Sequence, residues 1–337
     1  MVLLVHLQFV EVVAHNKKYP KLFGFEKKVI YIVTHKRFIK MNILFTITGG
    51  IGKCIAGTAV AEAIKKQYPD SQLIVLSPHP NIFKNNPFVD KTHKIHDFIN
   101  ASYLMYCKNQ EYKVFTVDPF HHNDFITNTK HLIPTWCKAN DIKYNGELPQ
   151  IFLSDEEQSY YRNYYQFGKL QKPIMAIQVN GGTPDPTIQP GYNWARDLPL
   201  EIVTQLIEEY RDHYTIVNIK RPDQQGYDDT VECVDNPRGV AYLLQHSEKR
   251  VFIDSFAQHM SAALNLPSTV CWITTSPTVF GYDIHDNVFA NPLKKEFQTT
   301  QQTFSQFELN ESITDFPWDN GNDVIDINKI YQSINKD

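Results

Sequence analysis

Apolar positions fall into two alternating rhythms from Asn42 onward. "NILFTIT" is a short apolar run that predicts a strand. It leads into a helix over about Ile55 to Gln67, where Ile55, Ala59, Ala63 and Lys66 fall at near-helical spacing. After the turn Tyr68-Pro69-Asp70, "QLIVLS" predicts a second strand and completes a βαβ unit. "YKVFTVD" predicts a further strand, and "HLIPTWCKAND" a helix that Asn140 and Asp141 end. Residues 154 to 173 open with Ser154 and, three positions on, Glu157, a capping pair; they close with Gly168 and Pro173 and predict a connecting helix.

The alternation then restarts. "IMAIQVN", "YTIVNIK", "RVFIDS" and "STVCWIT" predict strands, and "LPLEIVTQLIEEYRDH", "VAYLLQHSE" and "AQHMSAALN" the helices between them. The pattern is α/β: two Rossmann-like, doubly wound halves, with a cleft between them as the default ligand site. The expected divisions are an extension of uncertain structure over 1–40, a first domain over 41–165, a second over 166–320 and a terminal helix over 321–337. "EFQTTQQTFSQFELN" is polar and predicts a loop. Met41 stands directly before the first strand, so the domain proper is expected to start there. The apolar opening "MVLLVHLQFVEVVAH" lacks a basic start and is interrupted by His6 and Glu11, which disfavours a signal peptide.

Composition narrows the partners. The 337 residues are 42% hydrophobic, enough for a sizeable core, and 33 Lys and Arg against 37 Asp and Glu give a net charge of -4. Such a field offers nucleic acid no attraction. No stretch reaches the roughly 20 consecutive apolar residues of a transmembrane helix. The five cysteines, Cys54, Cys107, Cys137, Cys233 and Cys271, are scattered without metal-ligand spacing and predict reduced thiols in the cytoplasm, with no metal site.

"TITGGIGKC" invites comparison with phosphate-binding loops. A P-loop would need glycine where Ile47 stands and a hydroxyl where Cys54 stands; the dinucleotide fingerprint would need glycine at Ile55 and an acidic end to "QLIVLS". Neither template fits. Gly49, Gly50 and Gly52 still allow a sharp turn and close approach of a ligand to a helix start, with a ligand-free βα turn as the plain alternative. In "RVFIDSFAQHMSAALNLPSTVCWIT", Asp254 and Ser255 fall where a strand stops and a helix begins. Ser255 is expected to cap that helix, and the free amides of its first turn suit a diphosphate, with His259 as a further donor. The alternatives are an ordinary cap and a surface histidine.

"DSFAQHMSAALNLPSTV" resembles the signature D-[ST]-x-x-x-H-[LM]-x-A-A-L-x-x-P-[ST]-V of the heptosyltransferase-like glycosyltransferases, family nine. The resemblance extends over about Met41 to Pro292, through the glycine turn, "NNPFVDK", "VFTVDPF", "IQVNGG" and "NWARDLPLEIVTQLI". It implies the GT-B fold and transfer of a heptose-like sugar or a hexose from a nucleotide diphosphate sugar to a hydroxyl of a glycan or glycolipid acceptor. Transfer would be inverting, without metal or other cofactor, as in lipopolysaccharide or glycan biosynthesis. Carried over residue by residue, Asp254, Ser255, Phe256, Ala257 and His259 would lie at the donor. Arg196 would neutralise the leaving diphosphate, and Asn180, Gly181, Gly182 and Thr183 would line the same side. "DVIDINKIYQSI" has helical periodicity and would pack back on the first domain, with an ordinary terminal helix as the plain alternative. "TTSPTVFGYDIHDN", residues 274–287, would form the loop near the nucleoside, although Tyr282, Asp283 and His285 receive no partner from pattern.

The family's glycine turn ends Gly-Asp, the aspartate serving as general base; here Lys53 follows Gly52. A lysine with a pKa of about 10.4 cannot accept that proton at neutral pH unless burial lowers it strongly. Asp118 is the first candidate to replace it, His121 and His122 the next, and a turn aspartate before Pro119 the plain alternative. Lys53 would then suit an acceptor phosphate or the donor diphosphate. Two further functions stay open: a catalytically silent GT-B relative that binds a sugar nucleotide or serves as an interaction module, and a sugar-nucleotide epimerase.

Overall fold

The computed structural model describes residues 41–95, 101–181, 195–292 and 316–336. All of these belong to the unit that begins at Ile39, and the expectation for residues 1–40 lies outside them. The first lobe holds β1 (Asn42–Thr46), α1 (Ile51–Gln67), β2 (Gln72–Ser77), β3 (Lys91–Lys94) and β4 (Tyr112–Phe115), then α2 (Asn123–Ile126) and α3 (Leu132–Ala139). Its sheet is parallel in the order β3-β2-β1-β4. β1 and β2 are buried almost throughout, as parallel strands covered on both faces require. β3, "KTHK", is a polar edge strand with no apolar period, which is why pattern alone passes over it.

α4 (Asp155–Tyr165) connects the lobes, and its predicted capping box is formed: the Glu157 amide donates to Ser154 Oγ at 3.3 Å, and the Ser154 amide to Glu157 Oε2 at 3.0 Å. The second lobe continues with β5 (Ile174–Gln178), α5 (Leu200–Tyr210), β6 (Thr215–Ile219), β7 (Val231–Cys233), α6 (Pro237–Gln245), β8 (Ser247–Ile253), α7 (Phe256–Ala263), β9 (Thr269–Trp272), α8 (Pro277–Phe280), β10 (Asp286–Phe289) and α9 (Ile327–Ile334). Its parallel sheet runs β10-β9-β8-β5-β6-β7. Both orders are doubly wound, with direction reversing between β1 and β4 in one sheet and between β5 and β8 in the other. The stretch 274–287, expected as a loop, contains α8 and the start of β10.

α1 is buried from Lys53 to Ile64, because the sheet, α3 and the second lobe each take part of its surface. One apolar cluster runs from Phe45, Ile55, Ala59 and Trp136 to Leu243, Met260 and Phe280, so the lobes meet where α1 faces α7. A second fills the far side of the second sheet with Met175, Val203, Leu206, Trp318, Ile330 and Ile334. The expectation that the terminal helix packs on the first domain is therefore corrected. α9 lies against β8, β9, β10 and α5, because Ile330 and Ile334 complete the apolar layer left open there.

Arg238 on α6 joins the lobes beside the connecting helix. Its guanidinium holds Glu157 through two 2.6 Å bonds and donates to the carbonyls of Asn81, at 3.1 Å, and Phe152. Burial alone would raise the Glu157 pKa, but bonds from Arg238, the Ser154 amide and Lys84 outweigh it and hold this carboxyl at about 2.

Candidate functional site

β8 ends at Ile253 and α7 begins at Phe256, so Asp254 and Ser255 stand at the C-terminal edge of the sheet, beside its switch point. Asp254 and Ala257 are fully buried, Ser255 is nearly so and Phe256 is half-buried. Arg196 Nη2 donates to the Asp254 carbonyl and lies 3.8 Å from its Oδ2. Burial raises the Asp254 carboxyl above the usual range, against the pull of Arg196 and Thr275. The guanidinium is thus fixed at the opening of α7, where helix amides and a cation favour an anion together. Asn180 accepts from the Tyr227 hydroxyl at 2.7 Å, and the Gly181 amide donates to Asp197 Oδ1 at 2.9 Å, so both line the same edge. Gly182 and Thr183 lie outside the described residues.

Two expectations here are corrected. Ser255 occupies the cap position in extended backbone but makes no capping bond; the Ala257 amide donates instead to Gln178 Oε1 at 3.0 Å. His259 is not on the surface: it is 6% exposed. The Gln258 amide nitrogen lies 3.1 Å from its Nε2 and must donate to it, so the neutral ring carries its proton on Nδ1 and gives it to the Tyr282 hydroxyl at 2.9 Å. Burial, reinforced by His131 and His285, pushes the His259 pKa down to about 3.

The ring of His259 seats on the first-lobe glycine turn. A Cβ on Gly52 would come within 2.7 Å of its Cδ2, so this glycine serves the close approach of α7 to α1. Gly49 has φ of +92°, the left-handed region that glycine adopts without strain, whereas Gly50 caps α1 in ordinary extended backbone with open space around it. Tyr282 packs edge-on against His131 at 5.1 Å between centroids, and Phe280 against Phe125 at 5.8 Å, extending the seam between the lobes.

Lys53 and Asp118 meet across the first switch point as an ion pair. The ammonium also lies 4.3 Å from the centroid of Phe120 and 5.5 Å from that of Trp136. Asp118 Oδ2 further accepts from Thr48 Oγ1 at 3.0 Å, and Oδ1 from the Phe120 amide at 3.0 Å, capping the turn Pro119–His121. Burial pulls its pKa up, but Lys53 and the Phe120 amide prevail and hold it below the usual carboxylate value. His121 is exposed at the end of that turn, and His122 caps α2 through Nδ1, 3.1 Å from the Asp124 amide.

Neither a protein-family model nor a curated protein sequence matches the chain. Solved structures do. A family 9 glycosyl transferase from Veillonella parvula superposes with a TM-score of 0.59 at 13% identity, covering 87% of this chain and 96% of that one. Escherichia coli ADP-heptose LPS heptosyltransferase II gives 0.57 at 14% identity, over 81% and 100%. E. coli heptosyltransferase WaaC with ADP gives 0.51 at 13%, over 79% and 98%.

The fold is GT-B.

In this GT-B chain the second lobe gathers Arg196, Asp254, Ser255, Phe256, Asn180 and Gly181 along one edge. It keeps Lys53 and Asp118 paired with each other at the first-lobe edge, and leaves His121 outside. Gln178 and Tyr227 escaped the sequence analysis, because their partners lie 79 and 47 positions away.

Proposed function

We propose that this chain binds a nucleotide diphosphate sugar at the start of α7 and transfers the sugar, with inversion and without a metal ion, to an acceptor hydroxyl in the cytoplasm. The observation that carries this is Arg196 held on the Asp254 carbonyl beside an uncapped Ser255. A departing diphosphate develops negative charge, and a fixed guanidinium with oriented amides stabilises it without reorganising. The V. parvula protein is a glycosyl transferase and one E. coli heptosyltransferase was solved with ADP, which supports the same use of the fold. A glycan or glycolipid is the acceptor class.

A specific observation favours a second reading, a silent relative that binds the donor without turnover. Both oxygens of Asp118 are committed to donors, one of them the Lys53 ammonium, so this carboxylate is a poor general base as it stands. Incubation with a panel of sugar nucleotides, with diphosphate release followed with and without candidate acceptors, separates the two. Acceptor-dependent release is the expected result; binding without release in any combination establishes the silent relative. Lys53→Asp removes the ammonium from Asp118, and transfer that appears only in this variant points the same way.

A further inference from the structure

We infer that the second lobe carries a saccharide-binding groove at the N-terminal edge of its sheet, remote from the donor site, which takes a neutral oligosaccharide of flat, equatorially substituted rings. This groove is separate from the proposed transfer and does not depend on it.

The groove opens where β5 and β8 begin, Ile174 beside Ser247, and encloses about 490 Å3, within the range of about 300–1,000 Å3 for small-molecule sites. Asp254 follows the other end of β8, and the seven residues of that strand put about 23 Å between the two places. Two rings form an apolar wall, each backed by a tyrosine. Phe167 stacks on Tyr165 at 4.7 Å between centroids with planes 14° apart, and His246 lies 4.1 Å from Tyr242. The two wall rings are 6.0 Å apart. Tyr242 is buried and His246 exposed, so the face of His246 away from the tyrosine is open to a ligand. A pyranose with equatorial hydroxyls presents C–H bonds on its faces, and their weak positive charge suits the negative face of an aromatic ring. Rings already held in place lose little freedom when such a face settles on them.

Polar groups follow the rim. A carbonyl only accepts, so His246 Nδ1 donates to that of Tyr242 at 2.8 Å, and Nε2 has no partner among the described residues. Gln171 likewise has none there. Gln245 accepts from Gln158 at 3.3 Å through Oε1 and keeps its amide nitrogen; Glu248 accepts from the Tyr214 hydroxyl at 2.9 Å through Oε1 and keeps Oε2. A hydroxyl both donates and accepts, so a polyhydroxylated ligand satisfies this mixed set. Charge disfavours a phosphate: Lys172 turns its ammonium to the Arg211 carbonyl at 2.7 Å, while the Glu248 carboxylate faces the groove and repels an anion. A lipid tail would leave the same polar groups desolvated and unpaired.

Cellotriose, whose substituents are all equatorial, is the probe; saturation-transfer NMR and calorimetric titration of the full chain are the readouts. Binding should be weak, with His246→Ala lowering affinity about ten-fold and His246→Phe, which keeps a ring on Tyr242, restoring most of it. Gln171→Ala changes an exposed side chain and should weaken binding about three-fold at an unchanged urea midpoint; it serves where a ring variant fails to fold. ADP titration should be unaffected by these variants, and Arg196→Ala should leave cellotriose binding intact, so failure of the donor site and failure of the groove are told apart. No saturation transfer to cellotriose, or binding that survives both His246→Ala and Gln171→Ala, overturns the groove. Displacement of cellotriose by inorganic phosphate would place an anion there and overturn the neutral ligand.

Discussion

The switch point of the first sheet is bridged by a half-buried ion pair, Lys53 with Asp118, while that of the second is bridged by a neutral bond, Gln178 on the Ala257 amide. Both bridges join the turns after strands β1 and β4 or β5 and β8, where doubly wound sheets receive their ligands. The ion pair consumes what it holds: ammonium and carboxylate neutralise each other, and two aromatic rings close over the lysine. The neutral bridge cancels no charge: a capping oxygen from outside the helix satisfies one amide of its first turn and leaves the Arg196 guanidinium beside that turn. The two turns thus differ in what they can bind. The glycines of the first turn serve a sharp bend at Gly49 and contact with the second lobe at Gly52.

Acidification should separate the two regions by pH and gives the largest effect. His131, His259 and His285, with pKa values lowered by burial to about 4, 3 and 4, remain neutral in the folded chain but gain a proton near 6.5 when unfolded. Their contribution is complete above pH 6.5 and is lost as pH falls toward 4, by several kcal/mol in total. Asp118, held below its ordinary value, keeps its contribution above about pH 4 and loses it only as pH falls through the lower folded value. Urea midpoints measured against pH should fall from 6.5 downward, and more shallowly in His259→Gln; a flat profile between 6.5 and 5 contradicts the burial of the three rings.

Asp118→Ala leaves the Lys53 ammonium 7% exposed without its counterion and should destabilise the fold by about 3 kcal/mol, whereas Gln178→Ala should cost about 1 kcal/mol. Comparable losses would erase the contrast between charged and neutral bridges. Gly52→Ala drives a methyl into the His259 ring and should cost about 2 kcal/mol, against less than about 0.5 kcal/mol for Gly50→Ala. Calorimetry ranks the pair.

How much of this could be read in advance follows the physics of each signal. β1, α1, β2 and the capping box of α4 were legible because strand runs, helical period and the Ser154–Glu157 spacing are local. β3, β7 and β10 are three or four residues long and weakly patterned, so their pairing with a neighbour defines them. Asp254, Ser255 and Arg196 were found through the family resemblance together with the strand-to-helix boundary. Their arrangement was not legible: Gln178 is 79 positions from Ala257, Lys53 is 65 from Asp118, and the burial of His259 depends on a glycine in the other lobe. The terminal helix was placed on the first domain by the resemblance, and its apolar stripe could not correct that, because Ile330 and Ile334 do not say which sheet they will cover.

The central claim is that the diphosphate is held at the second-lobe turn and not at the first. Titration of ADP into the wild-type chain, Arg196→Ala and Lys53→Met tests it most directly. Arg196→Ala should weaken binding at least about ten-fold, the loss of a charge-assisted bond. Lys53→Met, which keeps an aliphatic stem against Phe120 and Trp136, should change it by less than about two-fold. The reverse order, with Lys53→Met abolishing binding and Arg196→Ala leaving it intact, would place the anion on the glycine turn and contradict the account.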